Sequence, residues 1–198
     1  MKPGKMAAAL GALLMLAGCT RADHPPLQTV QDFRVEPYLG TWHEIAAIPA
    51  WFQRDCARDT MAQYQPAAES GQIEVVNSCR REDGTLLEAD GRARFTGPEH
   101  EGRLEVTFVK LLGHWVWPIA GAYDVIALDP GYRWSLVGHP SRDYAWILAR
   151  ERHLDDAVLS QLKKRLAAAR YDPCRLVLTA SADPRRGRSL CEVGASGP

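Results

Sequence analysis

The 198-residue sequence has no excess of either charge, with 24 Lys and Arg against 24 Asp and Glu and a pI near 7.0. Without a basic field there is little to drive binding to a phosphate backbone, which argues against a nucleic-acid partner. The apolar run from Met6 to Ala17 falls short of the roughly 20 residues that a helix needs to span a bilayer. No Gly-x-Ser-x-Gly, His-Glu-x-x-His, Walker loop or dinucleotide fingerprint occurs, so no catalytic residue is assigned. Metal chemistry lacks its usual spacing too, since there is no Cys-x-x-Cys and the six histidines are scattered. His43 is expected to face outward and His139 to lie in a loop, which argues against haem; no cofactor and no metal are expected. What is present, 46% hydrophobic residues with ordinary charge content, fits one globular domain and excludes disorder.

Lys2 and Lys5 followed by the apolar run read as a signal peptide over residues 1–18. Leu16-Ala17-Gly18-Cys19, where that run ends, resembles the lipobox of bacterial lipoproteins. The resemblance implies cleavage before Cys19 and acylation of that cysteine with chains such as palmitate; the alternative is ordinary secretory cleavage beside a cysteine. Loss of Lys2 and Lys5 leaves 22 of the 24 basic residues against 24 acidic ones, a mildly acidic mature chain. Thr20 following the cysteine, where aspartate would retain a lipoprotein at the inner membrane, implies an outer-membrane, periplasm-facing location. Residues 19–36 are polar and carry Pro25 and Pro26, and are read as a tether that reaches roughly 50 Å if extended.

Four further cysteines, Cys56, Cys79, Cys174 and Cys191, suggest two disulfides in an oxidising compartment. Three pairings are open by count. Loop closure favours Cys56–Cys79 and Cys174–Cys191, each enclosing about 20 residues and worth ~3 kcal/mol in the chain-entropy picture.

From Tyr38 onward, short alternating segments are separated by Gly, Pro, Asp and Asn, the pattern of an antiparallel meander. Strands are expected near 41–48, 60–65, 72–79, 86–95, 103–109, 121–128, 132–138 and 144–150, with a helix near 155–169 and a last short strand near 174–179. Val158, Leu159, Leu162 and Leu166 form the apolar stripe of that helix, which needs the outside of a sheet to cover it. Eight consecutive antiparallel strands can close into an up-and-down β-barrel with room for one small ligand. The predicted fold is therefore all-β, an eight-stranded antiparallel up-and-down barrel over 37–180 with one C-terminal helix outside, and 181–198 as a flexible tail unless Cys191 ties it down.

Strand polarity gathers Gly40-Thr41-Trp42, Asp129-Pro130-Gly131-Tyr132 and Arg150 at one barrel end. These resemble the three signature regions of the lipocalin family. Tyr38–Ala46, Gly121–Asp129 and Arg142–Arg150 are similar to the first, sixth and eighth strands of bacterial lipocalins, with His43 in place of a frequent tyrosine. The resemblance covers roughly residues 33–180. It implies that Trp42, set by Gly40, plugs the closed end and that Arg150 lies over its ring, a structural pairing.

With Trp42 inward, the two-residue period of a strand puts Glu44, Ala46 and Ile48 inside, and Tyr144, Trp146 and Leu148 likewise. Charged neighbours set Ile73, Val75 and Asn77, Leu104, Val106 and Phe108, and Tyr123 and Val125 inward as well. Ala89, Gly91 and Ala93 share the parity of Phe95 and leave volume; the alternative is an interior filled by side chains. Glu44, Asn77 and Tyr144 either orient a head group or satisfy one another. Burial would raise the Glu44 pKa and a nearby Arg150 would counter it.

The opposite end carries Trp51, Phe52, Leu111, Leu112, Trp115, Val116 and Trp117, which mark an entrance, a partner surface or a membrane contact, or fold over as a cap. By resemblance, the ligand is a fatty acid or lysophospholipid, held for lipid storage, transport or envelope repair by a membrane-anchored protein. The alternatives are an envelope interaction protein that docks a partner or forms a homodimer through the apolar mouth, and a lipid-modifying enzyme.

Overall fold

The computed structural model describes residues 24–180 and 182–193; the signal-peptide and lipidation expectations at residues 1–19 lie outside them. A single helical turn, α1 (Val35–Tyr38), leads into eight antiparallel strands. These are β1 (Gly40–Ala47), β2 (Arg58–Pro66), β3 (Gln72–Arg80), β4 (Leu86–Phe95), β5 (Arg103–Thr107), β6 (Gly121–Leu128), β7 (Trp134–Gly138) and β8 (Ala145–Ala149). Each pairs with its neighbour in sequence, and β8 returns to β1 with His43 opposite Ala149 and Glu44 opposite Leu148. The sheet closes on itself, which removes the free edges of an open meander. Alternation drives the wall: on β3, Ile73, Val75 and Cys79 are buried while Glu74, Val76 and Ser78 are not.

Two apolar cores result, one on each side of this wall. Inside lie Trp42, Val75, Ala93, Leu104, Val125, Val137 and Leu148. Outside, helix α2 (Asp156–Ala168) lays Leu159, Leu162 and Leu166 against Ile45, Leu136 and Ile147 of the barrel exterior. Full burial of each leucine contributes roughly 1.5–3 kcal/mol. Asp156 in the first turn and Arg165 in the last complement the helix dipole. A short strand, β9 (Val177–Leu178), then extends the sheet beside Ala46 and Ala47.

The expected parity of β1 fails after Glu44. A bulge shifts the register to β8 between Glu44 and Ala46, so that Ala46 lies opposite Ile147 and Ala47 opposite Trp146. Ala46 and Ile48 therefore join the outer core beneath α2, and Ala47 takes the inward register.

Residues 24–36, expected to form the free end of a tether, are packed. Leu27 and Phe33 are buried, and the Val30 and Phe33 amides donate to the carbonyls of Val125 and His100, both at 2.9 Å. Arg142 donates to the Pro25 carbonyl at 2.7 Å and Arg103 to that of Leu27 at 3.2 Å. The carboxyl beneath, Asp124, is buried; burial raises its pKa, and Arg103 and Arg142 offset part of that rise. The segment thus forms a strap from the 139–144 loop to the opposite end, held by the guanidinium groups of Arg142 in that loop and Arg103 at the start of β5.

Of the tail, residues 182–193 meet the exception stated for it, since Cys191 ties them down. Both disulfides form in the loop-closing pairs, Cys56–Cys79 and Cys174–Cys191, and the second anchors a tail in which Leu190 and Val193 are buried. The Asp183 carboxylate accepts from the Arg185 backbone at 2.8 Å and from its guanidinium at 2.8 and 2.6 Å, while that guanidinium also reaches Asp156 and the Leu154 carbonyl. Hydrogen bonding from Arg185 holds the Asp183 pKa below the ordinary carboxylate value. A depressed pKa contributes stability above the unfolded value that is lost as pH falls through the folded one. Asp183→Asn is accordingly expected to cost about 1–2 kcal/mol at pH 7, with the difference closing below about pH 4. Denaturant midpoints across that range check it; a pH-independent difference would contradict it.

Candidate functional site

The interior is graded from end to end, beginning with a sealed floor. Trp42 is 0% exposed, and its indole N–H donates to the Tyr38 carbonyl at 2.8 Å. The Arg150 guanidinium carbon lies 3.9 Å from the Trp42 ring centroid. Its nitrogens donate to the carbonyls of Thr41 at 2.7 Å, Pro37 at 2.7 Å and Leu39 at 2.8 Å. Gly40, at φ +92°, makes the turn that brings these carbonyls under the guanidinium, a backbone region costly for any side chain.

Above the floor lies a polar layer absent from the sequence expectations. The Tyr123 hydroxyl shares hydrogen bonds with those of Tyr38 at 2.8 Å and Tyr64 at 2.9 Å, and Tyr38 also bonds Ser135 at 2.9 Å. Burial pushes the Tyr38 phenol up to about 12 and raises Tyr64 and Tyr123 well above the ordinary value. The hydroxyls remain neutral and satisfy one another, so the layer needs no outside partner. The waist, around and above this layer, is apolar: Val75, Ala93, Leu104, Val125 and Leu148 are buried, with Val106 and Trp146 partly buried against them.

Nearer the mouth the same inward register becomes exposed. Asn77 and Ala89, paired across β3 and β4, continue the faces of Val75 and Gly91 yet are exposed. The Phe108 ring is 43% exposed and lies over Gly91, where a Cβ would come within 2.7 Å of it. Across the opening, Phe52, Tyr144 and Trp146 form an aromatic series, with centroids 5.7 Å apart for the first pair and 6.2 Å for the second. The Gln53 amide ties this wall to β1, donating to the Glu44 carboxylate at 2.8 Å and accepting from the Trp146 indole at 3.4 Å.

Glu44 is 5% exposed and has no Lys or Arg partner among the described residues. Arg150, expected to counter its charge, is instead committed to Trp42 and the three carbonyls. Burial raises the Glu44 pKa, and hydrogen bonds from Gln53 and Thr179 offset part of the rise. For a raised pKa the stability is fully present below the unfolded value and is lost as pH rises through the folded one. Wild type is therefore expected to lose ground to Glu44→Gln as pH rises above the ordinary carboxylate range, with the two within about 0.5 kcal/mol at the acid end. Parallel stability curves would contradict this.

A lateral cleft of about 450 Å³ adjoins Glu44, Ala47, Gln53, Ala57 and Arg186. It opens where β1 and β2 part, since their pairing ends at His43 opposite Met61 and the outer half of β1 pairs with β9 instead.

The long loop after β5 does not cap the opening. It forms a small hairpin, Lys110–Leu111 against His114–Trp115, whose return arm lies against the outer face of β4. Guanidinium carbons of Arg92 and Arg94 lie 5.5 and 4.1 Å from the ring centroids of Trp115 and Trp117, outward contacts that hold this arm against the wall. Its tip remains bare, with Leu112 91% and Leu111 65% exposed, and at the same barrel end the loop after β1 has Trp51 73% exposed.

Comparison with known proteins agrees with this architecture. Residues 33–181 match the family model described as a lipocalin-like domain. The outer membrane lipoprotein Blc of Escherichia coli is 35% identical over 158 residues, covering 79% of this chain and 84% of that protein. Apolipoprotein D of Macaca fascicularis is 34% identical over 177 residues, covering 89% of each. Among solved structures, insecticyanin from the tobacco hornworm Manduca sexta superposes with a TM-score of 0.62 at 20% identity, over 84% of this chain and 90% of that one. With a floor, waist and open mouth in one closed barrel and a family match over most of its length, the chain belongs to the lipocalin family.

Proposed function

We propose that this lipocalin is an outer-membrane lipoprotein, acylated at Cys19, that holds a fatty acid or lysophospholipid in its barrel for storage, transport or envelope maintenance. The observation that carries the reading is the graded interior: buried apolar residues at the waist and exposed ones of the same register at the mouth. An acyl chain entering from the mouth replaces water along Phe108, Val106 and Ala93, each buried methylene contributing about 0.8 kcal/mol. The tyrosine layer sets the depth of entry. Glu44, Asn77, Tyr144 and Gln53 lie where a polar head would stop, with the bulk of the head left in water. The name of the Escherichia coli relative, an outer membrane lipoprotein, supports the location, and the lipobox resemblance supports the anchor.

Native mass spectrometry of the protein purified from its host tests the ligand class. The expected spectrum carries one acyl ligand per chain, identified after extraction as fatty acid or lysophospholipid. An empty barrel that also refuses added oleate and lysophosphatidylethanolamine would overturn the reading.

A further inference from the structure

The path of the N-terminal strap bears on which way the barrel faces. Odd-numbered strands run toward the mouth, so the loops after β1, β3, β5 and β7 share that end. Pro25 is bound by Arg142 of the loop after β7, and the strap then descends past Val125 to His100 in the loop after β4, at the closed end. The chain therefore enters the fold beside the mouth. Only six positions separate Pro25 from Cys19, a reach of at most about 20 Å. Packing of the strap removes most of the length that a free tether would have had.

The same end carries the bare apolar tips. Trp51, Phe52, Leu111 and Leu112 are exposed, and Val109 and Ile119 add to them. Phe52 touches Tyr144 in the loop after β7, which joins the first loop to the strap side of the mouth. Exposed apolar side chains that surround an opening, with the anchoring cysteine a short chain away on that side, match a bilayer surface as occupant.

We infer that the open mouth docks against the membrane that holds the anchor, with Trp51, Leu111 and Leu112 seated at the head-group boundary and the Trp42 end facing away. The inference rests on acylation at Cys19. It implies that a lipid passes between bilayer and barrel without crossing bulk water, through the mouth and not through the lateral cleft.

The test uses the full acylated chain in phosphatidylethanolamine and phosphatidylglycerol vesicles, with an environment-sensitive fluorophore on Leu112→Cys or, at the closed end, on Glu99→Cys. Doxyl-labelled lipids are the quenchers. The expected result is a blue-shifted label at 112 quenched several-fold more strongly than the label at 99. Equal quenching, stronger quenching at 99, or a label at 112 shielded by a second copy of the chain and untouched by lipid quenchers would overturn the docking. Mass spectrometry of the same sample separates the premise from the inference. An unmodified Cys19 overturns the anchor reading and the docking with it, whereas an acylated Cys19 with a water-exposed position 112 overturns the docking alone.

Discussion

Trp42→Ala is expected to lower stability by about 3–5 kcal/mol, the range for emptying a fully buried large aromatic site. For a domain of this size, that lowers Tm by roughly 10–15 °C. The loss exceeds ring burial because the indole organises its neighbours. It receives the Arg150 guanidinium on its face, donates to the Tyr38 carbonyl and packs in a tilted arrangement 4.8 Å from the Tyr38 ring. Removing it leaves the Tyr38 carbonyl without that donor and opens a cavity under the tyrosine layer. Trp42→Phe keeps most of the volume but not the donor and should cost about 1–2 kcal/mol. Differential scanning calorimetry of the two variants measures the hierarchy; a loss below 1 kcal/mol for alanine would show that the floor is not needed to close the barrel.

Val106→Trp is expected to weaken acyl-ligand binding about 100-fold or more while changing stability by less than about 1 kcal/mol. Val106 lies opposite Ala93 in the β4–β5 register, next to the level where Phe108 already covers Gly91. Being only partly buried, position 106 can accept a larger side chain without the strain that overpacking a closed core causes. The added indole then occupies the volume that several methylenes would fill, and losing 2.7 kcal/mol of their transfer energy is a factor of about 100. Displacement of a fluorescent fatty acid measures the affinity, and thermal unfolding of the same samples supplies the control. Unchanged affinity with an unchanged Tm would place the acyl chain elsewhere.

Much of this architecture is legible in the sequence because a barrel wall depends on local alternation. The strands expected at 86–95 and 121–128 form at those residues, and the helix forms at 156–168 with Leu159, Leu162 and Leu166 turned to the barrel. Of the interior candidates, Val75, Leu104, Val125 and Leu148 lie in the inner core, while Asn77 and Phe108 are exposed at its mouth. Ala46 was not legible, because a bulge is a pairing irregularity between two strands and leaves no local mark on either.

The strap is illegible in the sequence for a related reason. Its polar composition hides Leu27, Val30 and Phe33, and its carbonyls are held by Arg103 and Arg142 from distant parts of the chain. The tyrosine layer has the same non-local origin, although a signal for one member was available. Ala62 and Tyr64 alternate with Met61, Gln63 and Gln65 on β2, and assigning a parity to that strand would have turned Tyr64 inward.

A crystal structure with a lysophospholipid brominated midway along its acyl chain tests most directly whether the ligand chain occupies the barrel waist. The anomalous bromine signal is predicted among Val75, Ala93, Leu104 and Val106, above the hydroxyls of Tyr64 and Tyr123. A signal in the lateral cleft beside Ala57 and Arg186, with the waist empty, would contradict the account.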